Sequence, residues 1–295
     1  ILIVIGKNSK KKVENCIKKL LHRGPDDYRI KTVDNISFGF TRLAINDTHI
    51  QANQPFEFQH YIGVSNAEIY NHKELKNKYN LNCNSTSDAE VILPLYHQFK
   101  ENILPLLDGF YASIIYNKKN QELVLMRDYI GKKPLFFAYD TENQYICSEL
   151  KILPKIEHFE IIPKGICKIV SNSIIKIKKH SQNNLKKPSN TYLYQIIEKA
   201  VFKRIVDIKD YKIGVFLSGG LDSAIVAFLA SKLFPNSHIY FYSISDPIHP
   251  DYEYIKIMHK ALKLSNNTLT MIDIPQEKEF ISIVKNVVYH TESYN

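Results

Sequence analysis

Two sets of residues in this chain have types and spacings that can do chemistry. The first is the stretch F-L-S-G-G-L-D-S-A at 216–224. The run Y-K-I-G-V-F-L at 211–217 leads into it and reads as a buried strand. After it, Leu221, Ile225, Phe228 and Leu229 recur at helical intervals and predict a helix to Leu233. A strand, a bare glycine turn and a helix start together suit a phosphate. Glycines let the main chain approach closely, and free N–H groups at the helix start face an anion. Neither GxxxxGK[ST] nor GxGxxG is present, so this is a third kind of phosphate loop. Ser218, Ser223 and the amides of Gly219, Gly220 and Leu221 would hold phosphate. Asp222 would repel it unless a divalent cation stands between them, which assigns Mg²⁺ to that carboxylate.

The second set is four strings: H-R-G-P-D (22–26), R-L-A-I (42–45), S-N-A-E-I-Y-N-H (65–72) and T-S-D-A-E-V-I-L (86–93). Singly each is ordinary: G-P-D forms turns, Arg42 can be a surface cation, and Ser87-Asp88 can cap a helix ahead of Glu90. Together they suit an amino acid. Arg42 can hold an α-carboxylate by two parallel bonds, and Asp88 an α-ammonium. Asn66 and the N–H of Ala67 can form an oxyanion hole while a side-chain amide is attacked.

The S-G-G-L-D-S string resembles the pyrophosphate loop of the ATP pyrophosphatases, among them the asparagine, GMP, NAD and argininosuccinate synthetases. The four upstream strings, in this order, resemble the glutaminase domain of the glutamine-dependent asparagine synthetases, a class II, N-terminal-nucleophile amidotransferase domain. R-D-Y-I-G-K-K-P-L-F-F-A-Y-D (127–140) and S-E-L-K-I-L (148–153) resemble the later strands of that domain. The resemblance implies glutamine on Arg42, Glu68 and Asp88, oxyanion donors at Asn66 and Ala67, and ATP surrounded by Leu217, Ser218 to Ser223 and Ile244. It further implies aspartate as acceptor, an aspartyl-adenylate, release of AMP and pyrophosphate, a cytoplasmic setting and a homodimer. Two departures stand out. The family's nucleophilic cysteine is expected upstream of Ile1, and a glycine is expected where Ala67 stands, so alanine would be strained if that position needs a positive φ. A sister amidotransferase, of β-lactam-synthetase type or acting on another carboxylate, and a non-catalytic homologue that only binds nucleotide or glutamine remain alternatives.

The elements that must position these residues fall into two textures. The first 180 residues hold many short β-rich runs, with helices predicted near 10–21 and 88–100, and imply an αββα sandwich. A polar linker is expected at 181–190. Residues 191–295 alternate helix and strand and imply the start of a doubly wound parallel sheet, with ligands at the strands' C-terminal ends. The chain opens without methionine and stops within a helical pattern, and reads as a piece of a longer protein. At 295 residues and 44% hydrophobic composition it can fill two cores. Cys16, Cys83, Cys147 and Cys167 show no C-x-x-C pair and suit a reduced compartment rather than zinc or disulfides. The lysines behind the net charge of +9 are dispersed, so neither nucleic acid nor membrane is an expected partner.

Overall fold

The computed structural model describes residues 1–154, 156, 158–180, 190–235, 237–262 and 269–292. The chain forms two compact units, Ile1–Asn183 and Asn184–Asn295.

The first unit runs β1 (Leu2–Gly6), α1 (Ser9–Ile17), β2 (Asp27–Val33), β3 (Ile36–Arg42), β4 (Phe56–Phe58), β5 (Tyr61–Ile69), α2 (His72–Lys78) and α3 (Ile92–Phe99). It continues through β6 (Gly109–Asn117), β7 (Glu122–Arg127), β8 (Phe136–Tyr139), β9 (Asn143–Cys147), β10 (His158–Ile161), β11 (Gly165–Val170) and β12 (Ser173–Lys178). The layering follows from alternation along the strands, since successive side chains face opposite ways. Leu2 and Val4 pack with Val13, Ile17 and Leu20, which places α1 on one face of β1. Ile1 and Ile3 pack with Phe38, Ile62 and Ile114, which places a second sheet on the other face. That second sheet turns Tyr111, Ile115 and Val124 away from the first, onto Leu93, Leu95 and Tyr96 around α3. The two six-stranded sheets run β10-β8-β9-β1-β3-β2 and β12-β11-β7-β6-β5-β4, antiparallel throughout. The result is the αββα sandwich.

The predicted helices are shorter than the patterns that announced them. The 10–21 pattern becomes α1 followed by a 3₁₀ turn at Lys18–Arg23, and the 88–100 pattern becomes a 3₁₀ turn at Ala89–Val91 leading into α3. Tighter turns at helix ends satisfy main-chain groups that a full α-turn would leave open. Cys16 is buried on the core face of α1.

The second unit contains α4 (Asn190–Ile205), β13 (Ile213–Phe216), α5 (Leu221–Leu233), β14 (Ile239–Ile244), α6 (Pro250–Ala261), β15 (Leu269–Ile272) and α7 (Glu277–Thr291). Its strands are parallel, in the order β13-β14-β15, joined by α5 and α6. Val201, Val215, Ala227, Phe241 and Ile255 share its core. Residues 181–189 of the expected linker lie outside the described residues. Its last residue, Asn190, already belongs to α4.

Candidate active site

Ile1 and residues of β3 and β5 line a cavity of about 280 Å³, together with Arg23, Asn46, Asp47, Gln54, Asp88 and Lys133. Every upstream residue expected to hold glutamine or its oxyanion is among its lining: Arg42, Asn66, Ala67, Glu68 and Asp88.

β5 presents two kinds of group here. Its pairing with β4 ends at Gly63, so among the described residues no strand pairs with the edge beyond. On that edge Ser65 donates its N–H to Gln54 Oε1 at 2.6 Å and accepts Gln54 Nε2 on its carbonyl at 2.9 Å. Ile69 donates its N–H to Asp88 Oδ2 at 2.7 Å. Main-chain groups of alternate residues share an edge of an antiparallel strand, so the N–H of Ala67 points the same way, between the two. Asn66 and Glu68 continue the face of Ile62 and Val64, the one turned toward the first sheet. Glu68 accepts a bond from Tyr70 at 3.4 Å. Ala67 sits inside a regular strand and is not among the residues of positive φ, so the strain expected of alanine at this position is absent.

Arg42 ends β3 and is 8% exposed. Its guanidinium holds the following turn: Nη1 donates to His49 O at 2.9 Å and to Asn53 Oδ1, and Nη2 donates to Asp47 O. Three of the five guanidinium hydrogens are therefore taken. Among the described residues Nε–H and one Nη2–H have no partner, so a ligand would be met from that side rather than end-on through Nη1 and Nη2. The H-R-G-P-D string explains how β3 ends in place. Pro25 bridges Arg42, Asp26 N–H donates to Arg42 O at 3.0 Å, and Asp26 Oδ2 accepts the N–H of Ala44 at 2.7 Å. A Cβ on Gly24 would lie 2.5 Å from the Thr41 carbonyl carbon, so only glycine permits this approach.

Asp88 does not cap the helix that follows it. Its oxygens accept from Asn46 Nδ2 at 3.1 Å and from Ile69, fixing it beside β5. Glu90, also considered as part of a cap, accepts the N–H groups of Asn84 at 2.7 Å and Ser85 at 2.8 Å and shapes the preceding turn.

Gln54, Asn46 and Asp47 carried no expectation from the sequence, and Arg23 and Lys133 lay within quoted strings without a role of their own. The R-D-Y-I-G-K-K-P string held the signal for Lys133. Asp128 accepts main-chain N–H groups from Ile130, Gly131, Lys132 and Lys133 at 3.1, 2.7, 3.0 and 3.2 Å, winding that loop around one carboxylate. Arg127 braces it through the carbonyls of Gly131, Lys133 and Ile162. Arg23 is held by the buried Glu149, at 2.9 Å. Burial pushes the Glu149 carboxyl up, but bonds from Arg23, Lys151 and His22 outweigh it and hold it below the usual carboxylate range.

In the second unit, β13 delivers Leu217 to the 216–224 loop. The Leu217 side chain is fully buried, and its N–H donates to Tyr242 O at 2.9 Å, so what it can offer a ligand is main chain. Ser223 Oγ accepts the N–H of Ser218 at 3.1 Å and donates to Gly220 O at 3.0 Å, and the hydroxyls of Ser218 and Ser223 lie 3.0 Å apart. Both hydroxyls thus shape the loop. Gly220 begins α5 without a side-chain cap, which leaves the first amides of the helix open. Gly219 has φ +84°, and a Cβ there would lie 2.9 Å from Asp251 O. Asp222, Leu221 and Ile244 are exposed. No three His, Cys, Asp or Glu side chains among the described residues converge as a metal site, and no described helix is long and apolar enough to cross a membrane.

Residues 2–204 match the family described as a glutamine amidotransferase domain, and residues 193–294 match the family described as asparagine synthase. A probable asparagine synthetase (glutamine-hydrolyzing) of Acanthamoeba polyphaga mimivirus is 29% identical over 95% of this chain and 56% of its own length. The asparagine synthetase (glutamine-hydrolyzing) of Gallus gallus is 29% identical over 94% and 56%, and a second such enzyme of Oryza sativa subsp. japonica is 30% identical over 94% and 49%. The chain thus spans about half the length of the curated relatives it matches. Among solved structures, a glutamine phosphoribosylpyrophosphate amidotransferase from B. subtilis superposes with TM-score 0.54 at 14% identity, covering 92% of this chain and 80% of the other. A structure titled the allosteric regulatory enzyme of purine biosynthesis gives TM-score 0.52 at 13% identity, with the same coverage. At those identities the likeness is one of fold.

Proposed function

The chain belongs to the glutamine amidotransferase domain family, and on that premise we propose that residues 1–180 release ammonia from the side-chain amide of glutamine, while residues 191–295 take part in the ATP-dependent amidation of aspartate to asparagine. The observation that carries the first half is one cavity holding a buried guanidinium, a buried carboxylate and, on the strand between them, an open N–H. Arg42 would take the α-carboxylate of glutamine and Asp88 its α-ammonium, with Glu68 against the ligand. The side-chain carbonyl would then lie toward Asn66 and the N–H of Ala67, where negative charge develops during attack.

The attack needs a nucleophile. Neither Cys16, Cys83, Cys147 nor Cys167 lines the cavity, whereas Ile1 does. A cysteine preceding Ile1 would open into it. The thiolate of such a cysteine would add to the amide carbon, Asn66 and Ala67 would hold the oxyanion, and protonation of the nitrogen would release ammonia and leave a thioester, which water would cleave to glutamate and free thiol.

In the second unit the open amides of Leu221, Asp222 and Ser223 at the start of α5, with the main chain of Leu217, Ser218, Gly219 and Gly220, suit the phosphates of ATP, with Ile244 nearby at the end of β14. Asp222 fits Mg²⁺: it is exposed at the helix start and, as one carboxylate, supplies what Mg²⁺ takes from protein when phosphates and water complete its shell. The cation would neutralise phosphate charge beside that carboxylate. Activation of aspartate as an acyl-adenylate, with AMP and pyrophosphate released, a cytoplasmic setting consistent with four free cysteines, and a homodimer belong to the same proposal.

Reciprocal variants of the full-length protein test it. Arg42→Lys should raise the KM for glutamine on the order of ten-fold or more, because an ammonium cannot copy a planar fork, and leave ammonia-dependent synthesis intact. Asp222→Asn should abolish aspartate-dependent pyrophosphate release and leave glutamine hydrolysis intact. Loss of both activities in either variant would sink the division of labour.

A further inference from the structure

Asp47 lies in the cavity wall and is 8% exposed, yet its carboxylate has nothing left to give a ligand. Oδ1 accepts the main-chain N–H of His49 at 2.8 Å and lies 3.0 Å from His49 Nδ1. Oδ2 accepts the N–H of Thr86 at 2.8 Å and its hydroxyl at 2.7 Å. A carboxylate offers about four lone-pair sites, so this one is filled. The bonds join two segments 39 residues apart in sequence. On one side is the 47–53 turn, whose carbonyls at Asp47 and His49 and whose Asn53 side chain aim the Arg42 guanidinium. On the other is the 83–88 segment, which ends in Asp88. The neighbouring Asn46 makes a parallel crossing, to Asp88 Oδ1 at 3.1 Å.

From this geometry we infer that Asp47 is a positioning residue that sets the spacing between Arg42 and Asp88, and so makes the cavity selective for a ligand carrying both an α-carboxylate and an α-ammonium. The inference rests on the glutaminase reading above and deepens it. The two charges of an α-amino acid are separated by one carbon, so a site that grips both tolerates little change in spacing. An amide lacking the α-ammonium needs only the Arg42 end. Burial pushes the Asp47 carboxyl up, but the Thr86 and His49 bonds prevail and hold it well below the usual carboxylate range, in keeping with a charge fixed as a strut.

The test compares hydrolysis of glutamine with that of glutaramate, which is glutamine without its α-amine, in the full-length protein. Wild type should prefer glutamine strongly. Asp47→Asn should raise the KM for glutamine on the order of ten- to a hundred-fold, with kcat changed far less, as expected when charge-assisted bonds are lost from the strut. The KM for glutaramate should move little, so the preference collapses. A merely structural role would lower kcat for both amides and leave the ratio intact, which would overturn the inference. If Asp47→Asn does not fold, Thr86→Val decides, since it removes one hydroxyl from the same carboxylate. It should narrow the preference, and Thr86→Ser should restore it. An unchanged preference in Thr86→Val would then overturn the inference. Wild type that hydrolyses neither amide would defeat the glutaminase reading itself, a result separable from failure of Asp47 alone.

Discussion

On the proposed reading, Ala67 would serve the site without its side chain. Its relevant atom is the main-chain N–H, held on the open edge of β5 between two residues whose N–H groups are already taken by Gln54 and Asp88. Its methyl packs toward the α3 layer, on the face away from the cavity side of Asn66 and Glu68. Ala67→Gly is therefore expected to leave glutamine hydrolysis within about two-fold of wild type and to cost roughly 0.5–1 kcal/mol of stability, the usual penalty of glycine within a strand. Steady-state kinetics beside a urea titration checks both parts. A large rate change in either direction would mean that the methyl sets the oxyanion geometry. Arg42 is the opposite case, a side chain with two duties, since the same guanidinium that would meet a ligand also organises the turn after β3.

At the scale of elements, the site depends on where β3 stops. The turn after the first 3₁₀ segment crosses the end of β3 at a distance only glycine allows. A Cβ at position 24 would sit 2.5 Å from the carbonyl carbon of Thr41 and 2.6 Å from the nitrogen of Arg42, both main-chain atoms that cannot swing aside. Gly24→Ala should destabilise the protein by about 1–3 kcal/mol, as overpacking does, and should weaken glutamine binding because the displaced atoms carry Arg42. Gly220→Ala is the contrast. Its nearest neighbour would be Ser218 Oγ at 3.6 Å, an ordinary contact, so stability should change little. Thermal unfolding of the two variants side by side, with the KM for glutamine, reads the difference. Equal tolerance at position 24 would show that the H-R-G-P-D turn does not fix Arg42.

For the whole molecule, acid should act first through carboxylates that are at least partly buried and hydrogen-bonded. Asp140 accepts Tyr145 OH at 2.7 Å and the N–H groups of Glu142 and Asn143 at 2.8 and 2.7 Å, with Lys12 Nζ 3.5 Å away. Burial raises its pKa, but these partners prevail and lower it from 3.8 to about 2. Asp47 shifts in the same direction. A carboxylate whose folded pKa lies below its unfolded one stabilises fully above the unfolded value and loses that contribution as pH falls toward the folded one. The first unit should accordingly lose stability between about pH 4 and pH 2, and Asp140→Asn should flatten that limb while lowering stability at neutral pH. Urea midpoints followed by circular dichroism across the window check this, and an identical acid limb in the variant would contradict it. The sequence by itself determined the local matter: the strand, glycine turn and helix at 211–233, the αββα class from strand-rich texture, and residues such as Arg42 and Asp88 that line one cavity. Those signals are periodicities and turn chemistries carried by neighbours along the chain. It did not reveal that Asp88 secures β5 rather than capping a helix, that Arg42 has given three hydrogens to its own turn, or that Asp47 and Lys133 reach the same cavity. Each of those rests on a contact between segments distant in sequence, such as Asp47 with Thr86, and only the packing of the two sheets brings such partners within hydrogen-bonding distance.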